Sequence, residues 1–158
     1  LRSEVMSAEA RIQELKLNLP PAQTPAGTYV PVVRTGNLIY VSGHGPKLAD
    51  GTYLTGVVGK EITEEQGQAA ARQTGLCILS TVQHYLGTLD RVVRLVKVLG
   101  MVNAAPDFER HPTVMNGFSD LLVEVFGEQG KGARSAVGMG SLPSRIAVEV
   151  EAIFEIRD

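Results

Sequence analysis

Two segments with helical periodicity most constrain the fold of this chain. The first, residues 64–86, follows a capping box at 63–66, and Gly87 supplies its stop. Its apolar stripe consists of Ala70, Thr74, Cys77, Ile78, Val82 and Tyr85. The second spans about residues 112–126, and its stripe consists of Met115, Phe118, Leu122 and Val125. Each stripe requires an apolar surface on which to pack.

Strand-like runs lie before, between and after these helices. The predicted strands cover residues 29–33, 38–42, 92–102 and 133–139, with a hairpin turn at 34–37. A last strand alternates, so that apolar side chains from Ile146 to Ile156 share one face. Its other face carries Glu149, Glu151 and Glu155. The predicted order is β-β-α-β-α-β-β.

This order predicts an α+β fold in which one mixed sheet carries both helices on one face. The opposite face of the sheet also needs a cover. The chain offers for it only a short N-terminal helix, predicted at residues 8–17 with Ser7 as its cap. Prolines at 20, 21 and 25 then impose an extended linker. We therefore expect an oligomer in which sheet faces meet.

Composition and charge argue against several classes of function. The 15 basic and 17 acidic residues give a net charge of −2, which creates no field to attract nucleic acid or an anionic membrane. The chain has no tryptophan, and its four tyrosines and four phenylalanines form no evident platform for stacked bases. It has a single cysteine, no apolar run of membrane-spanning length and no secretion-signal pattern near its start. We expect a cytoplasmic protein.

No polar motif by itself indicates a catalytic centre. His44, His84 and His111 show no ligand spacing with one another or with Cys77, so no metal site is predicted. Ser42 precedes His44 by two residues, but without a G-x-S-x-G elbow an activated serine is disfavoured. Cys77 lies on an apolar stripe, which is typical of a buried structural thiol. Residue types alone therefore do not identify the functional site.

Five segments of the chain together carry a family pattern. They are G-N-L-I-Y-V-S-G at 36–43, L-D-R-V-V at 89–93, A-R-S-A-V at 133–137, L-P at 142–143 and V-E-V-E-A-I at 148–153. In this order and spacing they resemble the YjgF/RidA family. The resemblance extends over about residues 29–156. It implies a chorismate mutase-like fold of the bacillus type, in a homotrimer whose sheets form a central barrel with ligand clefts between subunits. One domain over 1–158 is expected, with a helical extension at 1–20 and a core at 28–157.

The resemblance also implies a reaction. Family members with the matching arginine hydrolyse reactive enamine or imine acids such as 2-aminoacrylate to a 2-keto acid and ammonia, with no cofactor. Arg134 matches the carboxylate-binding arginine, whose planar fork suits a carboxylate. Glu149 matches the water-positioning glutamate, which would act as general base. The expected substrate-binding residues are Tyr29, Ser42, Asn116 and Ala136. Ala136 stands where a cysteine is frequent, and it would contribute only its backbone carbonyl.

Several features depart from the family pattern. They are the N-terminal extension, a longer segment between 43 and 63, a longer loop between 107 and 116, and His44 in place of a frequent glutamine. They indicate a subgroup whose substrate differs. Three alternatives stay open: a non-enzymatic regulatory trimer that binds a small carboxylate, an endoribonuclease or translation inhibitor, and a structural trimer without a ligand.

Overall fold

The computed structural model of the chain describes residues 6–158. Its α-helices are α1 (Ala8–Glu14), α2 (Glu64–Leu86) and α3 (His111–Phe126). Its strands are β1 (Val32–Thr35), β2 (Leu38–His44), β3 (Val92–Asn103), β4 (Ala133–Met139) and β5 (Val148–Ile156). Short 3₁₀ turns lie at Leu89–Arg91, Gly127–Gly130 and Pro143–Arg145. The predicted order of strands and long helices is confirmed.

The strands form one mixed sheet in the order β1-β2-β5-β3-β4. The neighbours β3 and β4 are parallel, joined by α3 as a crossover, and the other neighbouring pairs are antiparallel. This is the predicted α+β architecture, with β1 and β4 at the two edges. No α-helix within residues 6–158 is long and apolar enough to cross a membrane.

The core lies between one sheet face and the pair α2 and α3. Ile78 and Val82 of α2, Phe118 and Leu122 of α3, and Phe154 of β5 are all fully buried. The two helices approach closely because α3 has a glycine at 117, where a Cβ would come within 2.0 Å of a backbone carbonyl oxygen of α2. Both helices therefore cover the same face of the sheet, as the stripes predict. Only Tyr85 departs, being 45% exposed.

The first strand differs from its prediction. Arg34 and Thr35 belong to β1, because they pair with Ile39 and Leu38 across a turn of only two residues. The strand begins at Val32, so the preceding residues 29–31 lie outside it. Tyr29 is therefore a loop residue and not the start of a strand.

The N-terminal extension packs on the helical layer. The Glu9 carboxylate accepts a hydrogen bond from the Leu89 backbone N–H at 2.8 Å, and Arg11 Nε donates to the Glu124 carbonyl at 3.0 Å. The helix ends earlier than predicted, at Glu14, and Lys16 beyond it has a left-handed φ of 54°. The extension consequently does not cover the second face of the sheet.

That second face, which we call the open face, carries exposed apolar side chains beside its glutamates and is not covered by any part of residues 6–158. Val33 is 52% exposed, Tyr40 43% and Val137 39%. Val33 and Tyr40, together with Leu99 and Ile153, line a depression of about 440 Å³. An exposed apolar surface of this kind is typical of a protein–protein contact. The uncovered sheet face expected from the sequence is therefore confirmed.

Candidate functional site

Arg134 lies on β4 and extends towards α3. It pairs with Val98, whose side chain is buried beneath the helices. Its Nη1 donates to Asn116 Oδ1 at 2.9 Å and to Ser119 Oγ at 3.1 Å, and its Nη2 donates to the Pro112 carbonyl at 3.3 Å. Two residues expected at the site, Arg134 and Asn116, are thus brought together. Ser119 is a partner that the sequence analysis missed.

The guanidinium of Arg134 retains donors for a ligand. An arginine has five N–H donors, and its three hydrogen bonds to α3 leave Nε–H and one hydrogen on Nη2. Within residues 6–158, no carboxylate lies within the 4.0 Å ion-pair distance of this group. Two donors on adjacent nitrogens can hold both oxygens of a carboxylate. Three neutral acceptors therefore hold the arginine in place without neutralising its charge.

Ala136 follows on the same side of β4. It pairs with Gly100 of β3 and packs partly buried against the core. Its methyl group is therefore directed towards the helices, and it brings no reactive side chain to the strand.

Glu149 lies on the open face of the sheet, since its neighbours Val148 and Val150 are buried beneath the helices. Its carboxylate lies against β2, where a Cβ on Gly43 would come within 2.6 Å of Glu149 Oε2. A larger residue at 43 would force the Glu149 carboxylate to move. Burial raises the pKa of the Glu149 carboxyl, and the nearby Glu151 carboxylate raises it further. A carboxylate with a raised pKa is a better proton acceptor at neutral pH.

A β-bulge in β2 shapes this part of the open face. The pairing of β2 with β5 shifts between Val41 and His44, so Ser42 and Gly43 both stand opposite Glu151. The Ser42 hydroxyl oxygen is buried and has no hydrogen-bond partner among the residues that the structure describes. Buried hydroxyl groups are normally paired, so the unpartnered Ser42 hydroxyl is an unusual feature of the bulge.

His44 anchors the bulge from inside the core. The residue is fully buried; its Nδ1 lies 2.7 Å from the Ser42 carbonyl and its Nε2 lies 2.8 Å from Thr81 Oγ1. A carbonyl oxygen only accepts, so Nδ1 carries the proton and Nε2 accepts from the Thr81 hydroxyl. Burial lowers the pKa of His44 despite the opposing effect of the Ser42 carbonyl. The imidazole is therefore held neutral.

The neutral imidazole predicts acid sensitivity. Because the folded pKa of His44 lies below its ordinary value of 6.5, the unfolded chain takes up a proton that the folded chain excludes. We expect the free energy of unfolding to fall as pH decreases below 6.5, by up to about 1.4 kcal/mol per pH unit from this group. Urea denaturation at about pH 7.5 and about pH 5.5 measures it. The His44→Gln variant should lose less stability over this interval, and an equal loss would contradict the assignment.

A cavity of about 310 Å³ opens beside Glu149. Its walls come from the linker before β1, the β2 bulge, the loop after β2 and the turn before β5; they include Tyr29, Gly43, Tyr53, Pro143 and Ser144. Tyr29 is 45% exposed, and its hydroxyl accepts a hydrogen bond from the Ala26 N–H at 3.3 Å. Tyr29 and Glu149 are thus brought together. Ser42 lines the neighbouring depression on the open face.

The expected site residues consequently form two groups on opposite faces of the sheet. The open-face group is Tyr29, Ser42 and Glu149. The helix-side group is Arg134, Asn116 and Ala136. The sheet lies between the arginine and the glutamate, so a single chain does not assemble the predicted set.

The other titratable groups in the described part of the chain, residues 6–158, form no metal-binding cluster. Within residues 6–158, no group of three or more His, Cys, Asp or Glu side chains is arranged to hold a metal ion. The Cys77 thiol is buried and lies 3.3 Å from the Lys47 carbonyl, and its pKa is raised chiefly by burial. Such a thiol is a poor nucleophile at neutral pH, consistent with a structural role. His84 is exposed on α2.

Several known proteins are similar to this chain in both sequence and fold. The family described as "YjgF/chorismate mutase-like, putative endoribonuclease" matches residues 9–150. Protein TCP17 from Trypanosoma cruzi is 45% identical over 150 residues, which cover 94% of each chain. The crystal structure of Atu1372 from Agrobacterium tumefaciens, a protein of unknown function, is 41% identical with a TM-score of 0.88 and covers 95% of this chain and 92% of its own.

A more distant relative shares the fold alone. The crystal structure of RidA from an Antarctic Psychrobacter species is 23% identical, has a TM-score of 0.60, and covers 98% of this chain and all of its own. The match to the family spans most of the sequence, and the mixed sheet with α2 and α3 on one face is the chorismate mutase-like arrangement. The chain therefore belongs to the YjgF/RidA family.

Proposed function

We propose that this protein hydrolyses small 2-imino acids, including the imine tautomer of 2-aminoacrylate, to 2-keto acids and ammonia. The observation that carries the proposal is the guanidinium of Arg134. It is held by neutral acceptors on α3 and has no acidic partner within residues 6–158. A positioned but unneutralised arginine is suited to bind the carboxylate that every 2-imino acid has. Membership of the family supports the same assignment.

The reaction needs a substrate held in a fixed orientation towards a water molecule, and one group that accepts a proton from that water. Arg134 binds the substrate carboxylate, which places the imine carbon before an attacking water. Glu149 accepts a proton as the water oxygen bonds to that carbon and the C=N electron pair moves to nitrogen. The proton taken by Glu149 passes to the nitrogen, which gives the neutral carbinolamine. On collapse the carbinolamine O–H proton also goes to the nitrogen, the carbonyl forms, the C–N bond breaks and ammonia leaves. One imino acid and one water molecule thus give one keto acid and one ammonia molecule, and no electron acceptor is involved.

Because Arg134 and Glu149 lie on opposite sides of the sheet in one chain, a complete site needs more than one copy, and we propose the homotrimer expected from membership of the family. The open face offers an apolar contact surface, and the edge strand β4 carries the arginine. A neighbouring copy would bring its own Arg134 to the cavity beside Glu149. The resulting clefts between subunits would each contain one complete site.

Light scattering tests this assembly. We expect a solution mass of about three times the 16.9 kDa of one chain. Leu99→Asp places a charge in the depression of the open face and should lower the mass to that of one chain, because burying an unpaired charge is unfavourable. Tyr85→Asp, on the exposed part of α2, should leave the mass unchanged. A wild-type protein with the mass of one chain would contradict the assembled site.

The direct test of the proposed reaction uses a source of short-lived imine. A pyridoxal phosphate-dependent dehydratase acting on serine releases 2-aminoacrylate, which water converts slowly to pyruvate. Adding the wild-type protein should accelerate pyruvate release beyond the uncatalysed step. If the rate stays at the uncatalysed value with the assembled protein, the proposal is wrong.

A non-enzymatic carboxylate sensor is the second candidate, because the same Arg134 fork would hold a keto acid. Such a sensor has no need of a proton acceptor. The raised pKa of Glu149 favours the enzyme, since it is the property expected of a general base. The endoribonuclease activity named in the family description draws no comparable support from the two groups of residues.

A further inference from the structure

We propose that Tyr53, with the linker residues Gln23 and Thr24, forms a pocket for the substrate side chain that selects bulky, uncharged 2-imino acids. This inference rests on the proposed hydrolysis and names its substrate class. Tyr53 belongs to the longer segment between 43 and 63, in which the sequence departs from the family pattern, and Gln23 and Thr24 belong to the linker that follows the N-terminal extension. All three line the cavity beside Glu149.

Tyr53 forms a wall of the cavity close to the proposed base. A Cβ on Gly45 would lie 2.9 Å from Ile146 Cδ1 and 3.3 Å from two carbons of the Tyr53 ring. The ring therefore packs directly on the backbone two residues after Gly43, which contacts Glu149. Two residues of extended chain span roughly 6–7 Å. The Glu149 carboxylate and the Tyr53 ring therefore pack against nearby positions of the same segment, and a side chain of several carbons would fit between them.

The size of the cavity exceeds what 2-aminoacrylate needs. Its volume is about 310 Å³, whereas a water molecule occupies about 30 Å³ in the liquid. A substrate whose side chain is a single carbon, bound to the Arg134 of a neighbouring copy, would leave the part of this space beside Tyr53 to water. A leucine-like or aromatic side chain would displace that water and contact the rings of Tyr29 and Tyr53, which favours the larger substrate.

The turn before β5 gives the cavity a preformed wall. Ser144 and Arg145 both have left-handed φ values, 55° and 57°, which are uncommon for residues other than glycine. The Arg145 guanidinium forms an ion pair with Glu61 and so ties this turn to the segment before α2. Pro143 and Ser144 of the turn line the cavity. The pocket is thus built by the folded chain before a ligand arrives.

The charge of the cavity defines the kind of side chain. Among its lining residues, Glu149 is the only carboxylic acid, and none is a lysine, arginine or histidine. The remaining lining groups are neutral hydroxyls, an amide, aromatic rings and aliphatic carbons. An acidic side chain would face the Glu149 carboxylate and be repelled. An uncharged side chain meets no such penalty, so imines derived from leucine or phenylalanine should be preferred to those derived from alanine or glutamate.

Two measurements test the pocket. An amino-acid oxidase generates imines from alanine, leucine, phenylalanine and glutamate, and the protein-dependent release of each keto acid gives relative kcat/KM. Calorimetry measures the binding of pyruvate, 4-methyl-2-oxopentanoate and phenylpyruvate. In both, we expect the bulky uncharged compounds to be preferred by about tenfold, within the range that hydrophobic pockets achieve. Tyr53→Ala should reduce this preference to less than about threefold, and Tyr85→Ala, on the exposed part of α2, should preserve it.

The outcomes separate this inference from the proposed reaction. Preference for alanine-derived imine and pyruvate in the wild type would overturn the pocket while leaving the hydrolysis standing. A Tyr53→Ala variant that weakens all substrates equally would also overturn it, because that is the effect of a general structural role. Selective binding of bulky keto acids without any turnover, lost in Tyr53→Ala, would uphold the pocket and refute the hydrolysis.

Discussion

Replacing Arg134 with alanine is expected to lower kcat/KM for imino-acid hydrolysis by at least about 100-fold. The side chain supplies the only proposed anchor for the substrate carboxylate, and its loss turns an oriented encounter with water into a random one. The three hydrogen bonds to α3 hold the guanidinium but belong to the surface of the fold, so the assembled protein should persist. The release of keto acid in an assay coupled to an imine-producing enzyme gives kcat/KM, and light scattering in parallel shows whether the protein is still assembled.

Two further variants sharpen this test. Arg134→Lys keeps the charge but lacks the fork, so it should recover little of the lost activity. Arg72→Ala, a matched control, removes an arginine of α2 that forms an ion pair with Glu124 and should leave the activity unchanged. Near-normal hydrolysis in assembled Arg134→Ala would show that the carboxylate is bound elsewhere.

Local signals were sufficient to predict the layers of this fold. The capping box and Gly87 place both ends of α2 correctly, because a cap acts within a single turn. The alternation in β5 correctly separates side chains beneath the helices from those on the open face, because a strand has a period of two. The bounds of the first strand, predicted at residues 29–33, are less accurate. Pairing with β2, which no local pattern encodes, extends β1 to Thr35.

The candidate site depends on information that local patterns lack. Strand β4 carries small and polar residues on both faces, so its sequence does not reveal that Arg134 faces α3. The bulge at Ser42 and the packing of Tyr53 on Gly45 depend on contacts between distant segments. Ser119 is the missed residue that had a usable signal. It follows Asn116 by three positions on a helix, so the two side chains share a face.

Replacing Glu149 with glutamine is expected to lower kcat by about 10²–10⁴-fold, the usual contribution of a general base. Glutamine fits beside Gly43 but accepts no proton from water at neutral pH. Keto-acid binding should persist, because the carboxylate anchor is intact. A carboxylate sensor would show the same binding in wild type and variant with no turnover in either. Glu155→Gln, on the same face of β5, serves as the matched control and should retain full activity.

The pH dependence of the wild-type enzyme provides a second readout of the same role. Glu149 must be ionised to accept a proton, and its pKa is raised above the ordinary value of 4.5. The rate should therefore fall as pH decreases through this raised pKa, and the fall should be absent from the residual activity of Glu149→Gln. Because the Glu151 carboxylate contributes to the raised pKa, Glu151→Gln should lower it and move the fall in rate to lower pH. A shift to higher pH, or an unchanged profile in Glu149→Gln, would assign proton transfer to another group.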